Sequence, residues 1–241
     1  MTQFLKSFAP GGLAVVVGGT GGIGSALVSA LETASAFKSI VSLSRTTQPA
    51  LDIVDEGSVA CAADHVAALV GEGMPLRLLV DATGILSDGA MQPEKALRQI
   101  DPEAMARSFA VNAIGPALLL KHFLPLMPRE GKSVFATLSA KVGSIGDNRL
   151  GGWVSYRASK AALNQIVRTA SIEVARRRPE HVVLALHPGT VETRLSRPFA
   201  RTGLEVQSPE VAADRLLSVI DAAGPQDTGA FLNYRGERLP W

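Results

Sequence analysis

The sequence predicts one doubly wound α/β domain spanning 1–241, a parallel sheet with helices on both faces, on three observations. Short β-rich apolar runs alternate with longer amphipathic stretches from one end of the chain to the other. Hydrophobic residues make up 46% of the 241 residues and charged residues only 19%, enough apolar surface to close a core. No Ser/Gly linker, low-complexity tract or repeat period divides the chain. Parallel neighbours need long crossovers, and those crossovers cover the sheet.

Lys6 followed by the apolar Leu13–Val17 has the outline of a signal peptide, but Pro10-Gly11-Gly12 interrupts it and a glycine cluster follows. Leu13–Gly18 is therefore expected as the first strand, with a helix over Gly22–Ala34 and a second strand over Ser39–Leu43. Only five residues separate Arg45 from Leu51. A crossover helix needs about a dozen or more, so the helix between the second and third strands is expected to be missing. The third strand, around Ala50–Val54, is expected to be rudimentary. A helix over Ser58–Val70, with Cys61 in the core, and a strand over Leu76–Asp81 come next. The amphipathic stretch Pro102–His122 reads as a helix and Ser133–Leu138 as a strand. Tyr156–Arg178 reads as a helix whose Ala161, Ala162, Ile166, Val167, Ala170 and Val174 recur at helical spacing. Arg176-Arg177-Arg178 suits the dipole of its last turn. A strand over Val182–His187, a helix over Pro209–Ala222 and a strand over Gly229–Asn233 complete the order.

Composition excludes several classes of function. Lys plus Arg total 24 against 22 Asp plus Glu, a formal charge of +2, with the basic residues scattered, so nucleic acid is not expected as a partner. Lys121 interrupts the best apolar run, so no membrane span is expected. Cys61 is the only cysteine, which excludes an internal disulfide and any cysteine-built metal site and fits a soluble, cytoplasmic protein. His65, His122, His181 and His187 are too dispersed for a metal cluster, and no metal is expected.

The first strand runs into Gly18-Gly19-Thr20-Gly21-Gly22-Ile23-Gly24, five glycines in seven positions. Between a strand and a helix, such a loop turns sharply and lets a pyrophosphate approach the amides of a helix N-terminus. The sheet is thus expected to be of the Rossmann type. About 20 residues on, where an acid would hold the ribose hydroxyls of NAD, the chain reads Leu43-Ser44-Arg45. The Arg45 guanidinium suits a 2′-phosphate, so NADP(H) is preferred over NAD(H). Farther along, Lys160 stands one helical turn from Tyr156. An ammonium roughly 4–5 Å from the phenol would stabilise the phenolate by about 3–4 kcal/mol at an effective dielectric near 20. That would lower the Tyr156 pKa by about two to three pH units and make it a usable proton donor.

With the glycine loop and the Tyr156/Lys160 pair in place, the chain from about Leu13 to Tyr234 resembles the short-chain dehydrogenase/reductase family. Asp147–Trp153 ahead of Tyr156 is similar to C-factor and sniffer-like carbonyl reductases. The resemblance implies that Asp52 and Ile53 contact adenine, and that Ala82 and Gly84 flank the adenine-ribose side. Pro188, Gly189, Val191 and Thr193 would wrap the nicotinamide end. It also implies Tyr156 as the proton donor, Lys160 on the ribose, and Asn112 holding a proton-relay water. The reaction would pass a hydride between the cofactor and a small carbonyl or alcohol substrate. Two positions depart from the family. Ala140 replaces the serine, leaving Ser139 or Ser144 to substitute, with Ser139 preferred. Asp81 replaces the first asparagine of Asn-Asn-Ala-Gly and, placed near cofactor phosphates, calls for a raised pKa or a nearby cation. A lid over 193–207, with Arg194, Arg197 and Arg201, suggests a polar or anionic substrate, and a homodimer or homotetramer is expected. The alternative is a nucleotide-binding signalling or scaffold protein with vestigial catalysis.

Overall fold

Strand and helix alternate as the patterning requires, in a computed structural model that describes residues 5–88, 91–193 and 206–241. In chain order the strands are β1 (Leu13–Val17), β2 (Ser39–Leu43), β3 (Leu76–Asp81), β4 (Ser133–Leu138), β5 (His181–His187), β6 (Thr190–Val191), β7 (Val206–Gln207) and β8 (Phe231–Asn233). The helices are α1 (Gly22–Ala34), α2 (Glu56–Gly71), α3 (Pro102–Phe109), α4 (Gly115–Phe123), α5 (Val154–Ala175) and α6 (Pro209–Ala222). Six strands form one sheet in the order β2-β1-β3-β4-β5-β8, every pair parallel.

Successive strand residues face opposite sides, which gives the sheet two separate apolar layers. Ala14, Val16, Leu78, Val80, Val134, Ala136, Val182 and Leu184 pack with α1 and α6. Leu13, Val15, Leu79, Phe135, Val183 and Ala185 pack with α2, α4 and α5. Burying each large side chain in these layers stabilises the fold by roughly 1.5–3 kcal/mol.

The short link after β2 carries no helix, as its length requires. The third strand shrinks to a single parallel bridge between Ser44 and Ala50, so β2 is the sheet edge. Helix starts are set by caps: Asp55 accepts from Gly57 N–H, Asp101 from Glu103 N–H, and Ser208 from Val211 N–H. Proline at the first helical position fixes α3 and α6.

The run Pro102–Leu126 is, among the described residues, one helix long and apolar enough to cross a membrane by length and composition. Here it packs against α2 and α5, with Ser108, Asn112, Leu119 and Phe123 buried. It is interrupted at its middle by a π turn over Ala110–Ile114. Cys61, expected in the core, is exposed on α2. Its helix turns Val59, Ala62, Ala63 and Val66 inward, and position 61 falls on the opposite face.

The chain leaves β1 toward β2 on one side and β3 on the other. A crevice opens at the carboxyl ends of β1 and β3, where such folds bind ligands. The glycine loop, Ser44-Arg45, Asp81–Gly84, Ser139 and His187-Pro188-Gly189 all stand at carboxyl ends of strands.

Candidate active site and dinucleotide cleft

The glycine loop is shaped by packing that excludes side chains. Gly18 has φ +79°, and a Cβ on Gly24 would lie 2.1 Å from the Gly18 carbonyl oxygen. Strand and helix therefore approach each other as only glycine allows. No side chain caps α1 at Gly21, and its first turn carries no acid. Thr20, Gly21 and Gly22 are exposed and Ile23 is half-buried. An uncapped positive helix end over a cradle that a Cβ would fill fits a pyrophosphate. From the far side of the crevice, Thr193 reaches this loop: a Cβ on Gly22 would sit 2.9 Å from Thr193 Cγ2.

At the end of β2, Ser44 and Thr46 share a hydroxyl contact of 3.2 Å, and Arg45 is exposed with no carboxylate beside it in sequence. Asp52 Oδ1 accepts from Val54 N–H at 3.2 Å, while Asp52 N–H donates to Ser58 Oγ at 2.9 Å. Ile53 is buried against Gly115, where a Cβ would have no room. Ala82 N–H donates to the Val17 carbonyl at 2.9 Å. A Cβ on Gly84 would lie 3.5 Å from Asn112 Oδ1 and 3.6 Å from Lys160 Nζ, so the loop after β3 brings both expected residues to one point.

Asn112 occupies the π turn, fully buried. Its Nδ2 donates to the Ile85 carbonyl at 2.9 Å and to Ser159 Oγ at 3.1 Å, and its Oδ1 accepts from Ile85 N–H at 2.8 Å. Its side chain thus ties the loop after β3 to α5.

Tyr156, Ser159, Lys160 and Asn164 recur along α5 at the spacing that faces them onto the sheet. Lys160 is 3% exposed, and Nζ donates to the Leu138 carbonyl at 2.8 Å. Burial pushes its ammonium down to about 8, with Asp81 opposing the shift. Tyr156 is half-buried, edge-on to Trp153 at 6.3 Å between ring centroids. Burial pushes its phenol up to about 12. This overturns the lowering expected from a neighbouring ammonium. Lys160 points its Nζ at the β4 carbonyl, and the desolvation of the phenolate decides the outcome.

Ser139 directly follows β4 and turns toward α5. It is 4% exposed, and its Oγ donates to Asn164 Oδ1 at 2.6 Å. The hydroxyl is engaged with α5 because strand β4 alternates faces up to its end. Ser144 Oγ donates to the Trp241 carbonyl at 3.2 Å and accepts from Asp147 N–H at 3.1 Å. Ala140 caps a short turn over Lys141–Gly143 that packs on Lys160: a Cβ on Gly143 would lie 2.8 Å from Lys160 Cβ.

Asp81 is fully buried, and its carboxyl accepts from Thr83 N–H at 3.0 Å and Thr83 Oγ1 at 2.6 Å. Thr137 Oγ1 donates to its other oxygen at 2.7 Å. Burial pushes its pKa up.

Beyond β5, His187 Nδ1 is buried without a hydrogen bond, and burial pushes its imidazole down to about 4. The Pro188 carbonyl accepts from Gln207 Nε2. Gly189 has φ +81°, and a Cβ there would lie 2.7 Å from Gln207 Nε2. Val191 is 3% exposed in the β6–β7 ladder, where Thr190 pairs with Val206. The ladder joins the two ends of the expected lid. Residues 194–205, with Arg194, Arg197 and Arg201, lie outside the described residues. A cavity of about 580 Å³ lined by Gly143, Asn164, Phe231 and Trp241 lies farther along α5 and holds none of the expected site residues. Among the described residues no cluster of His, Cys, Asp or Glu suits a metal.

Sequence reasoning missed Glu94. This 6% exposed carboxylate accepts from Ser155 N–H at 3.2 Å and from Ser155 Oγ, while its carbonyl accepts from Trp153 N–H at 2.5 Å. It caps the helix that carries Tyr156. The signal was negative: Trp153-Val154 offers no capping side chain, and Trp153 is left-handed at φ +54°.

Residues 12–202 match the family described as short chain dehydrogenase. The C-signal of Myxococcus xanthus is 37% identical over 147 residues, 61% of this chain and 84% of that protein. A 1-hydroxy-2-glutathionyl-2-methyl-3-butene dehydrogenase of Rhodococcus sp. (strain AD45) is 31% identical over 196 residues, 81% of this chain and 80% of that protein. The crystal structure of NADPH-bound carbonyl reductase from chicken fatty liver superposes with a TM-score of 0.84 at 25% identity, covering 98% of this chain and 97% of that one.

Proposed function

Because the chain belongs to the short-chain dehydrogenase family and is an NAD(P)-dependent oxidoreductase, we propose that it reduces a small carbonyl substrate with NADPH, with Tyr156 as the proton donor. The observation that carries this reading is the meeting of Lys160 Nζ and Asn112 Oδ1 beside Gly84, with Tyr156 one turn before Lys160 on α5.

Gly18–Gly24 would hold the pyrophosphate through α1, Arg45 the 2′-phosphate, and Asp52 with Ile53 the adenine. Ala82 and Gly84 would border the ribose, and Pro188, Gly189, Val191 and Thr193 the nicotinamide end. NADPH-bound chicken carbonyl reductase, with the same architecture, supports the choice of NADP(H), and no carboxylate at Leu43-Ser44-Arg45 opposes it. The cofactor, when bound, supplies or takes the hydride.

A phenol at about 12 is fully protonated at neutral pH. It is suited to donate a hydrogen bond to a carbonyl oxygen and to give up its proton as that oxygen becomes an alkoxide. In the reverse reaction the same group, as phenolate, would take the proton from the alcohol. Lys160 holds an ammonium against the Leu138 carbonyl, and Asn112 fixes the loop that borders it. Ser139 orients Asn164 and gives no hydrogen to the substrate. The signalling or scaffold alternative rested on the C-factor resemblance, with Ala140 and Asp81 in its support, and the intact Tyr156/Lys160/Asn112 set argues against it.

A homodimer or homotetramer, with α4 and α5 supplying contacts, is supported by the exposure of Ile114, at 54% in the π turn that leads into α4, and of Ile172, at 45% on α5. Light scattering of the purified protein decides it. A cytoplasmic setting suits the exposed Cys61 thiol.

The test is NADPH oxidation against a panel of aldehydes and ketones. Turnover in the parent and its loss by at least about a thousandfold in Tyr156→Phe are expected. A parent that binds NADPH and reduces nothing in the panel, or a Tyr156→Phe variant with parental turnover, overturns the reading.

A further inference from the structure

We propose that Asp81 is the buried counter-charge of Lys160, a positioning residue that keeps its side chain an ammonium and so sets the alkaline limit of the reaction. The inference rests on the reading of Lys160 given above.

Three hydrogen bonds and one close backbone approach bring the two groups together. Asp81 ends β3 and stands opposite Thr137 in the β3–β4 register. Thr137 Oγ1 donates to Asp81 Oδ2 at 2.7 Å, and the carbonyl of the next residue, Leu138, accepts from Lys160 Nζ at 2.8 Å. A single stretch of β4 thus links carboxylate to ammonium. From the other side, Thr83 N–H holds Asp81 Oδ1 at 3.0 Å, and one residue on, a Cβ on Gly84 would lie 3.6 Å from Lys160 Nζ. The loop after β3 therefore begins at the carboxyl and passes over the amine.

Both groups are out of water, Asp81 at 0% and Lys160 at 3% exposure. An amine buried that deeply loses its proton unless an opposite charge is near. Among the described residues, the groups facing Lys160 offer only one. Its own helix contributes Tyr156, β4 the neutral Thr137 and a carbonyl, the π turn the neutral Asn112, and the loop after β3 only Gly84. His187 on β5 senses Lys141. One N–H and two hydroxyls directed at Asp81 suit a carboxylate. Burial lowers Lys160 and raises Asp81, and each opposes the shift of the other. A chain with the neutral asparagine of the family pattern in place of Asp81 would lack this partner.

The test is an NMR titration of lysine-labelled protein without cofactor, the Lys160 signal being assigned through Lys160→Arg. A midpoint near 8 is expected in the parent. Asp81→Asn, which keeps the shape, should lower it by about one pH unit or more. The alkaline limb of kcat/KM should move down by the same amount. Should Asp81→Asn not fold, Thr137→Val, which removes a donor from the carboxylate, should also lower the midpoint. An unchanged Lys160 midpoint in the folded variant overturns the proposal. An enzyme that reduces no carbonyl would overturn the functional reading and leave this titration readable.

Discussion

Replacing Ser139 by alanine separates a structural hydroxyl from one that touches substrate. In the structure Ser139 Oγ donates to Asn164 Oδ1 at 2.6 Å, both residues being buried, while Asn164 Nδ2 keeps only a 3.5 Å contact with the Gly143 carbonyl. Ser139→Ala removes the donor and leaves a buried amide oxygen unmatched, a loss of about 1–3 kcal/mol. At about 2–4 °C per kcal/mol for a chain of this size, Tm should fall by roughly 2–12 °C. Catalysis should suffer less: kcat/KM with NADPH and an active carbonyl should drop by less than about tenfold, under about 1.4 kcal/mol of transition-state stabilisation. The assay pairs a thermal melt with steady-state kinetics on Ser139→Ala, Asn164→Ala and the double variant. If the hydroxyl works through Asn164, the double variant loses less stability than the two single losses combined. A hundredfold loss of kcat/KM at an unchanged Tm would refute the reasoning and return Ser139 to the substrate.

Gly24→Ala places a methyl 2.1 Å from the Gly18 carbonyl oxygen. It should weaken NADPH binding by at least about tenfold and lower Tm, whereas Gly71→Ala, in open space on α2, should leave Tm level or raised by up to about 1 kcal/mol of stability. Equal NADPH affinity in Gly24→Ala and the parent, by fluorescence titration, would count against the cradle. The chain has two tyrosines, so a Tyr234→Phe variant leaves Tyr156 alone to titrate in near-ultraviolet absorbance. Its midpoint should lie near 12, and one below the ordinary phenol value of about 10 would show that Lys160 dominates after all. Arg45→Ala should raise the Kd for NADPH by about tenfold or more while leaving that for NADH within about twofold. An equal loss for both nucleotides would remove Arg45 from 2′-phosphate recognition.

Where local chemistry decides, the sequence was transparent. Gly22–Ala34, Leu76–Asp81, Ser133–Leu138 and Pro209–Ala222 read correctly to the residue, because apolar period and the ends of the runs agree there. The missing helix after β2 followed from chain length alone. What escaped depends on partners distant in sequence. α5 starts at Val154 rather than Tyr156 because Glu94 caps it from outside. The π turn at Asn112 is invisible in a pattern that stays apolar across Pro102–His122, since widening a turn by one residue hardly alters periodicity. The β6–β7 ladder is two residues per strand and has no pattern to read. In the site, the residues that converge near Gly84 were nameable from motif position. Their protonation was not, since the balance between burial and neighbouring charge at Tyr156 and Lys160 is a property of the folded surroundings.

The helix bearing Tyr156 has its first turn closed by a carboxylate 61 residues upstream. Its beginning therefore cannot be completed by its own stretch of polypeptide, however long that stretch is allowed to equilibrate. A fragment starting at β4 would contain Tyr156 and Lys160 yet leave the opening amides of that helix to water. During synthesis, by contrast, the segment holding Glu94 has already emerged when the helix is made, so the order of the genetic text matches the order in which the pieces are required.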